Sequence, residues 1–266
     1  MSSVYKSLLR ATSWVGSMTL ISRILGLARD ILIARLFGAG VASDAFFVAF
    51  KIPNFFRRLF AEGAFSQAFV PVVTEYKGLN EGDEPGILVG TVFGVLLAIL
   101  LIIVAIGVIA APLLILLFAP GFVDSREKFE LSVDLLRLTF PYLLFISLTA
   151  LFGGVLNVYQ RFAVPAFTPA LLNVGFIFSA IFISPLLEKP IIGLAFGVIL
   201  GGFSQLLLQY LAFKRLRIKW SVKFDLSHSG VRKILRLMAP ALFGVSVAQV
   251  NLIVDMVIAS FLFTGS

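Results

Sequence analysis

Apolar runs, each of about 20 residues or more, recur seven times along the chain, at 13–37, 44–73, 87–118, 131–158, 165–183, 191–213 and 231–263. A run of that length crosses the roughly 30 Å hydrocarbon layer of a bilayer as one helix. The runs are continuous rather than alternating, and they are too long for tilted strands, so a β-barrel does not fit. A water-soluble domain does not fit either: 59% of the residues are hydrophobic and only 14% are charged, too few charges to cover a soluble surface. The mean hydropathy is +1.04. The expected fold is an all-α polytopic membrane protein with about seven transmembrane helices.

The punctuation between runs agrees. Gly38-Ala39-Gly40 ends the first run, and Ser43 or Asp44 can cap the second. Ala119-Pro120-Gly121 closes the third, and Pro185 and Pro190 bracket the link between the fifth and sixth. Lysines and arginines in short loops set orientation. Lys6, Arg10, Lys77, Arg161 and a dense group from Lys214 to Arg236 fall on one side. Arg126, Lys128 and Lys189 fall on the other, diluted by Asp124, Glu127, Glu130 and Glu188. The N-terminus is therefore expected in the cytoplasm, and the first run is read as a retained helix because Arg23 and Arg29 interrupt it. The net charge of +8 resides mostly in the segment after the sixth run. Its expected role is topology and attraction to anionic headgroups, so the bilayer and no nucleic acid is the expected partner.

Enzymatic chemistry has little to build on. The chain has no cysteine and one histidine, His228, in a polar segment. It carries no HExxH, GxSxG or phosphate-binding GxxxxGK[ST] pattern. Neither a catalytic residue, a metal nor a cofactor is expected. Gly193, Gly197 and Gly201, spaced by four, and Gly90 with Gly94, are read as stripes that admit a close neighbouring helix. Gln205 and Gln209, and Asn157 and Asn173 near helix ends, are read as hydrogen-bonding links between helices.

The first two runs carry charges that a lipid-facing helix does not tolerate. At about 1.5 Å per residue, Arg29 lies roughly 13 Å and Arg23 roughly 22 Å from the outer end of the first run at Gly38, and Arg57 roughly 20 Å from the outer start of the second at Asp44. An arginine at the centre of a bilayer costs about 2.5–3.5 kcal/mol on the insertion scale, so three exposed to lipid would cost about 10 kcal/mol. Either they pair with acids or they face a wet cavity. Between Arg23 and Glu62 the bases are Arg23, Arg29, Arg35, Lys51, Arg57 and Arg58, and the acids are Asp30, Asp44 and Glu62. Arg58 and Glu62 have the i,i+4 spacing of a helical pair. Six bases against three acids favour a cationic, water-filled cavity. Arginine forks suit phosphate oxygens, and Pro53 offers a bend or hinge beside them. The residues alone point to a carrier for an anionic, phosphorylated substrate.

Ser22-Arg23-Ile24-Leu25-Gly26, Ala28-Arg29-Asp30, Phe37-Gly38-Ala39-Gly40, Ser43-Asp44-Ala45-Phe46-Phe47, Lys51-Ile52-Pro53-Asn54 and Arg57 through Phe65 closely resemble the MurJ (MviN) lipid II flippases of the multidrug/oligosaccharidyl-lipid/polysaccharide exporter superfamily. Ala119-Pro120-Gly121-Phe122, Phe140-Pro141-Tyr142 and Gly244-Val245-Ser246 extend the resemblance along the chain. It implies two six-helix lobes within fourteen helices, and alternating access that moves lipid II, an undecaprenyl-diphosphate-linked peptidoglycan precursor, across the bacterial inner membrane for cell-wall growth and cell shape. It also implies that Arg23, Arg29 and Arg57 form a cationic substrate-binding floor, with Asp44 and Glu62 as acidic partners. Residues 1–215 would be the first lobe, 216–230 a basic cytoplasmic loop, and 231–266 the first helix of a second lobe. The C-terminal half would then be missing, and the chain alone would not transport. A flippase for another lipid-linked oligosaccharide and a non-transporting scaffold are the alternatives.

Overall fold

A computed structural model describes the backbone of residues 2–78 and 83–262, and the side chains of 15–60, 63–78, 83–247 and 249–262. Every apolar run is helical there. Helix α1 spans Ser2–Phe37 and α2 spans Val41–Phe56, followed without a break by a π-helix over Arg57–Phe65 and by α3, Ser66–Gly78. The third run divides into α4, Glu84–Ile109, and α5, Ala111–Phe118, because Pro112 stands in the first turn of α5. The fourth divides into α6, Arg126–Thr139, and α7, Tyr142–Val158, around Pro141. Helices α8, Ala163–Phe178, α9, Ile191–Lys214, and α10, Ser229–Ser260, complete the order.

By length and composition, Glu84–Ile109, Arg126–Val158, Ala163–Leu186 and Ile191–Lys214 are each able to cross a membrane. So is α10, taken as one span bent by 44°. Helix α1 and the α2–α3 path are long enough, but their charges hold their hydropathy down. The protein is an all-α, multi-pass membrane protein.

Helices pack where side chains let backbones meet. Along α9, a Cβ at Gly197 would lie 2.9 Å from the Gly175 carbonyl oxygen of α8, and one at Gly201 would lie 2.9 Å from the Leu172 Cα. Gly193 meets Ser184, just beyond α8, in the same way. Lipid tails are as apolar as the helices, so such close van der Waals fit, rather than expulsion from water, holds the pair together. Gln209 Nε2 donates to Thr168 Oγ1 at 2.7 Å and Gln205 Nε2 to the Thr168 carbonyl at 3.1 Å, linking the same two helices.

The second glycine stripe departs from expectation. Among the described residues, what lies closest on Gly90 and Gly94 is not a helix. The basic segment after α9 folds back as an extended strap along α4, and Cβ atoms at Gly86, Gly90 and Gly94 would collide with the carbonyl oxygens of Lys219, Ser221 and Lys223. The Lys223 N–H points to the Gly90 carbonyl at 3.4 Å. The chain turns into this course through Arg217, whose φ is +56°. Trp220 locks it: its ring stands edge-on to Phe93, Phe152 and Phe213 at 5.5, 6.0 and 5.4 Å. A glycine rail accepts bare backbone as readily as it accepts a helix, which is why spacing alone could not separate the two. At the strap's end, the Ser227 hydroxyl and N–H hold the Asp225 carboxyl below the usual carboxylate range. His228 caps α10 by accepting the Gly230 N–H at 3.1 Å.

Gly90→Ala should therefore lift the strap. Tryptic cleavage after Arg217, Lys219 and Lys223 should rise several-fold, because proteolysis follows the open population. Gly16→Ala, which meets nothing within 4 Å, is the control. Equal cleavage of both variants would refute the docking.

Candidate functional site

Arg29 is held by three hydrogen bonds. Its Nε and Nη2 both donate to Asp30 Oδ1, at 2.9 and 2.7 Å, and its Nη1 donates to Asn173 Oδ1 of α8 at 2.9 Å. Asn173 is 7% exposed. Its Nδ2 donates back to the Ser22 carbonyl of α1 at 2.9 Å, so one amide grips both the α1 backbone and the α1 guanidinium. The guanidinium also lies 5.4 Å from the Phe176 ring centroid. A Cβ at Gly26 would stand 3.5 Å from Asn173 Nδ2, an ordinary contact, so this approach does not depend on the glycine. Asn173 lies well inside α8 rather than near its end. Its linking role has a second part, fixing the plane of Arg29, that spacing could not reveal.

Arg57 opens the π-helix, and its Nε donates to Asn54 Oδ1 at 3.0 Å. It lines a cavity of about 360 Å³ between the π-helix, α7, α8 and α9, together with Thr149, Asn157, Thr168, Gln205 and Gln209. Gln209 Oε1, buried there, has no hydrogen-bond partner among the described residues. The cavity thus combines one cation with amide and hydroxyl groups. Arg29 binds α8 at Asn173, and the Arg57 cavity meets α8 at Thr168, Pro169 and Leu172. The two arginines therefore address the same stretch of α8. Arg23 is exposed on α1, with no ion-pair partner among the described residues.

Asp44 is paired with a base that spacing did not bring to it. Asp44 accepts from Lys128 Nζ of α6 at 2.7 Å. The Lys128 side chain is only 8% exposed, and its ammonium lies 4.3 Å from the Phe122 ring centroid. Spacing alone places Lys128 among the loop charges. Ser125 caps α6 and accepts the Lys128 N–H, so Lys128 belongs to the first turn of a helix packed on α2. The expected pairing of Arg58 with Glu62 rests on α-helical spacing, whereas Arg57–Phe65 is a π-helix, whose i→i+5 bonds change the register. The Glu62 side chain lies outside the described residues.

Pro53 is buried inside α2, and the helix continues through it. Proline removes the bond that the Ala49 carbonyl would accept. The Thr139 hydroxyl of α6 lies 3.2 Å from that carbonyl, sharing its proton with the Leu135 carbonyl at 2.9 Å. At the Asp44 end of α2, the Gly121 N–H donates to Ser260 Oγ at 3.1 Å, tying the end of α10 to the turn after α5.

Among the described residues no group of three or more His, Asp or Glu could hold a metal.

This arrangement has known relatives. The family model described as "Lipid II flippase MurJ" matches residues 33–266. A "Probable lipid II flippase MurJ" from Vibrio cholerae serotype O1 is 48% identical over 99% of this chain and 51% of its own length. A "Lipid II flippase MurJ" from Burkholderia cenocepacia is 45% identical over 98% of this chain and 51% of its own length. A solved structure titled "Lipid II flippase MurJ, inward closed conformation" superposes with a TM-score of 0.76 at 32% identity, covering 94% of this chain and 51% of that one. The chain spans about half the length of the curated relatives it matches. Matched by the family model over most of its length, and in fold to a solved member, the chain belongs to the MurJ lipid II flippase family.

Proposed function

We propose that this chain supplies one lobe of a flippase that carries lipid II from the inner to the outer leaflet of a bacterial inner membrane by alternating access, without catalytic chemistry. Seven crossings, six in the lobe and α10 opening a second, account for the seven helical runs. The observation that carries the reading is Arg29: a half-buried guanidinium on a membrane helix, held in a fixed plane by Asp30 and Asn173. Fixed arginine forks match the oxygens of a diphosphate, and holding them in advance lowers the cost of binding. Arg57, above a cavity rich in amides and hydroxyls, provides a second phosphate contact, and the exposed Arg23 a third. Asp44 and Glu62 act as acidic partners in gating, and Pro53 as the hinge between the Arg57 end and the Asp44 end of the second path.

The test is transport. Proteoliposomes holding this chain joined to the corresponding second half of the Vibrio cholerae relative should move labelled lipid II between leaflets, and the 266-residue chain alone should not, because alternating access needs two lobes. Transport of another lipid-linked oligosaccharide in preference to lipid II would replace the substrate assignment.

Orientation has its own test. The chain has no cysteine, so single-cysteine variants report cleanly. Val123 and Phe224 are 53% and 63% exposed. With the N-terminus cytoplasmic, an impermeant maleimide added to intact spheroplasts should label Val123→Cys and spare Phe224→Cys. The reverse pattern would invert the topology.

A further inference from the structure

The polar groups between α8 and α9 pair with one another until one acceptor is left over. Gln205 Nε2 donates to the Thr168 carbonyl, and Gln205 Oε1 accepts from the Tyr142 hydroxyl at 3.4 Å. The Thr168 hydroxyl donates to the Val164 carbonyl and accepts from Gln209 Nε2. Gln209 is 2% exposed, and its Oε1 has no partner among the described residues. Leaving a buried acceptor unpaired is costly, so a donor from outside the protein belongs there.

Gln209 lines the cavity of about 360 Å³ that Arg57 also lines. Thr149 lines it too, and its hydroxyl spends its proton on the Phe145 carbonyl at 2.7 Å. Toward the cavity that hydroxyl offers lone pairs only. Thr149 and Gln209 are buried, whereas Asn157 and Pro169 of the same lining are exposed, so the acceptors lie in the depth of the cavity.

The two halves of this lining ask for different things. Arg57 attracts an anion and repels a cation. A bare diphosphate would satisfy Arg57, but its oxygens accept and bring no proton to Gln209 Oε1 or Thr149 Oγ1. The ligand that meets both is a phosphate ester whose uncharged part carries O–H and N–H groups, as a sugar does. The volume stands at the lower end of the roughly 300–1,000 Å³ of small-molecule sites, which suits one sugar ring rather than an oligosaccharide.

We infer that this cavity is a sugar subsite. It takes the sugar joined directly to the diphosphate, with O–H or N–H groups of the ring donating to Gln209 Oε1 and Thr149 Oγ1 while the phosphate lies at Arg57. The inference rests on the transport reading and deepens it: the cavity makes the protein select a glycosylated diphosphate lipid over a bare one.

The experiment titrates the chain, joined to the second half of the Vibrio cholerae relative, with lipid II and with undecaprenyl diphosphate, which has no sugar. Native mass spectrometry reads the two affinities. Lipid II should bind more tightly by roughly threefold to tenfold, the effect of one or two hydrogen bonds. Gln209→Met and Thr149→Val should each narrow that preference, and together abolish it. Thr149→Ser, which restores the hydroxyl, should retain it. Thr149→Val removes only a hydroxyl that bonds its own helix, so it tests the subsite without disturbing the fold. Thr91→Val is the matched control: its hydroxyl is equally buried and bonds its own helix on α4, away from the cavity, and the preference should persist. Arg57→Gln should weaken both lipids alike. Equal wild-type affinities, with both lipids weakened by Arg57→Gln, would mean that water alone meets Gln209; the subsite would fall and the phosphate reading would stand. A preference that survives Gln209→Met with Thr149→Val would place the sugar elsewhere and overturn the inference. Binding of neither lipid would overturn the transport reading and the subsite with it.

Discussion

Cells depleted of their own flippase should fail to grow on this chain carrying Arg29→Lys, when it replaces the corresponding half of the Vibrio cholerae relative and accumulates at the wild-type level. Arg29→Ala should fail as well. The geometry predicts that charge alone does not suffice. Arg29 presents three N–H groups in one plane, two to Asp30 and one to Asn173. A lysine ammonium is a hydrated point charge on a flexible stem and cannot reproduce that fork. Each hydrogen bond to a charged group contributes about 1.5–3 kcal/mol. Losing one positioned contact to a diphosphate would weaken binding about tenfold to a hundredfold. Asn173→Ala should give an intermediate defect, because it keeps the charge and loses the grip on its plane. Growth with Arg29→Lys alone would mean that a cation of any shape serves. Growth with Arg29→Ala would reduce Arg29 to a strut between α1 and α8.

The second large effect concerns folding. Asp44→Leu should destabilise the protein by about 3–5 kcal/mol, the usual consequence of removing one member of a buried ion pair. Lys128 is 8% exposed, and without Asp44 its ammonium would be left with the face of Phe122. Adding Lys128→Met should recover most of the loss, because an apolar pair of similar volume strands no charge. Thermal unfolding of the purified variants in one detergent reads this directly. A single variant as stable as the wild type would show that the pair is dispensable. A double variant as weak as the single would assign the loss to Asp44's other contacts.

The sequence shows most plainly what depends on length and period. Each apolar run folds as helix, and the stripe of Gly193, Gly197 and Gly201 meets a neighbouring helix. What it concealed depends on partners distant along the chain. Lys128 looked like one of several loop charges because nothing local announces that α6 packs on α2. Asn173 looked like a generic link because its acceptor role requires Arg29, 144 residues away. The π-helix escaped because its side-chain period cannot be told from that of an α-helix over nine residues. The strap escaped because a polar, basic stretch reads as a solvated loop, and Trp220, its aromatic anchor, is a single residue without a pattern.

The strap also changes how motion can reach α10. A slack connection would let α10 pivot about its first residue. Here its base is mounted like a post: Tyr76 OH lies 3.0 Å from Ser229 Oγ, Lys233 is tied to Glu75, and the strap before it is seated on α4. The helix then passes Pro240. Any swing of its far end, where Ser260 meets Gly121, has its fulcrum beyond that mounting, along the helix itself, which is bent by 44° between its two parts. The length of the connecting segment therefore gives α10 no added reach: displacement at its Ser260 end must be made by bending the post.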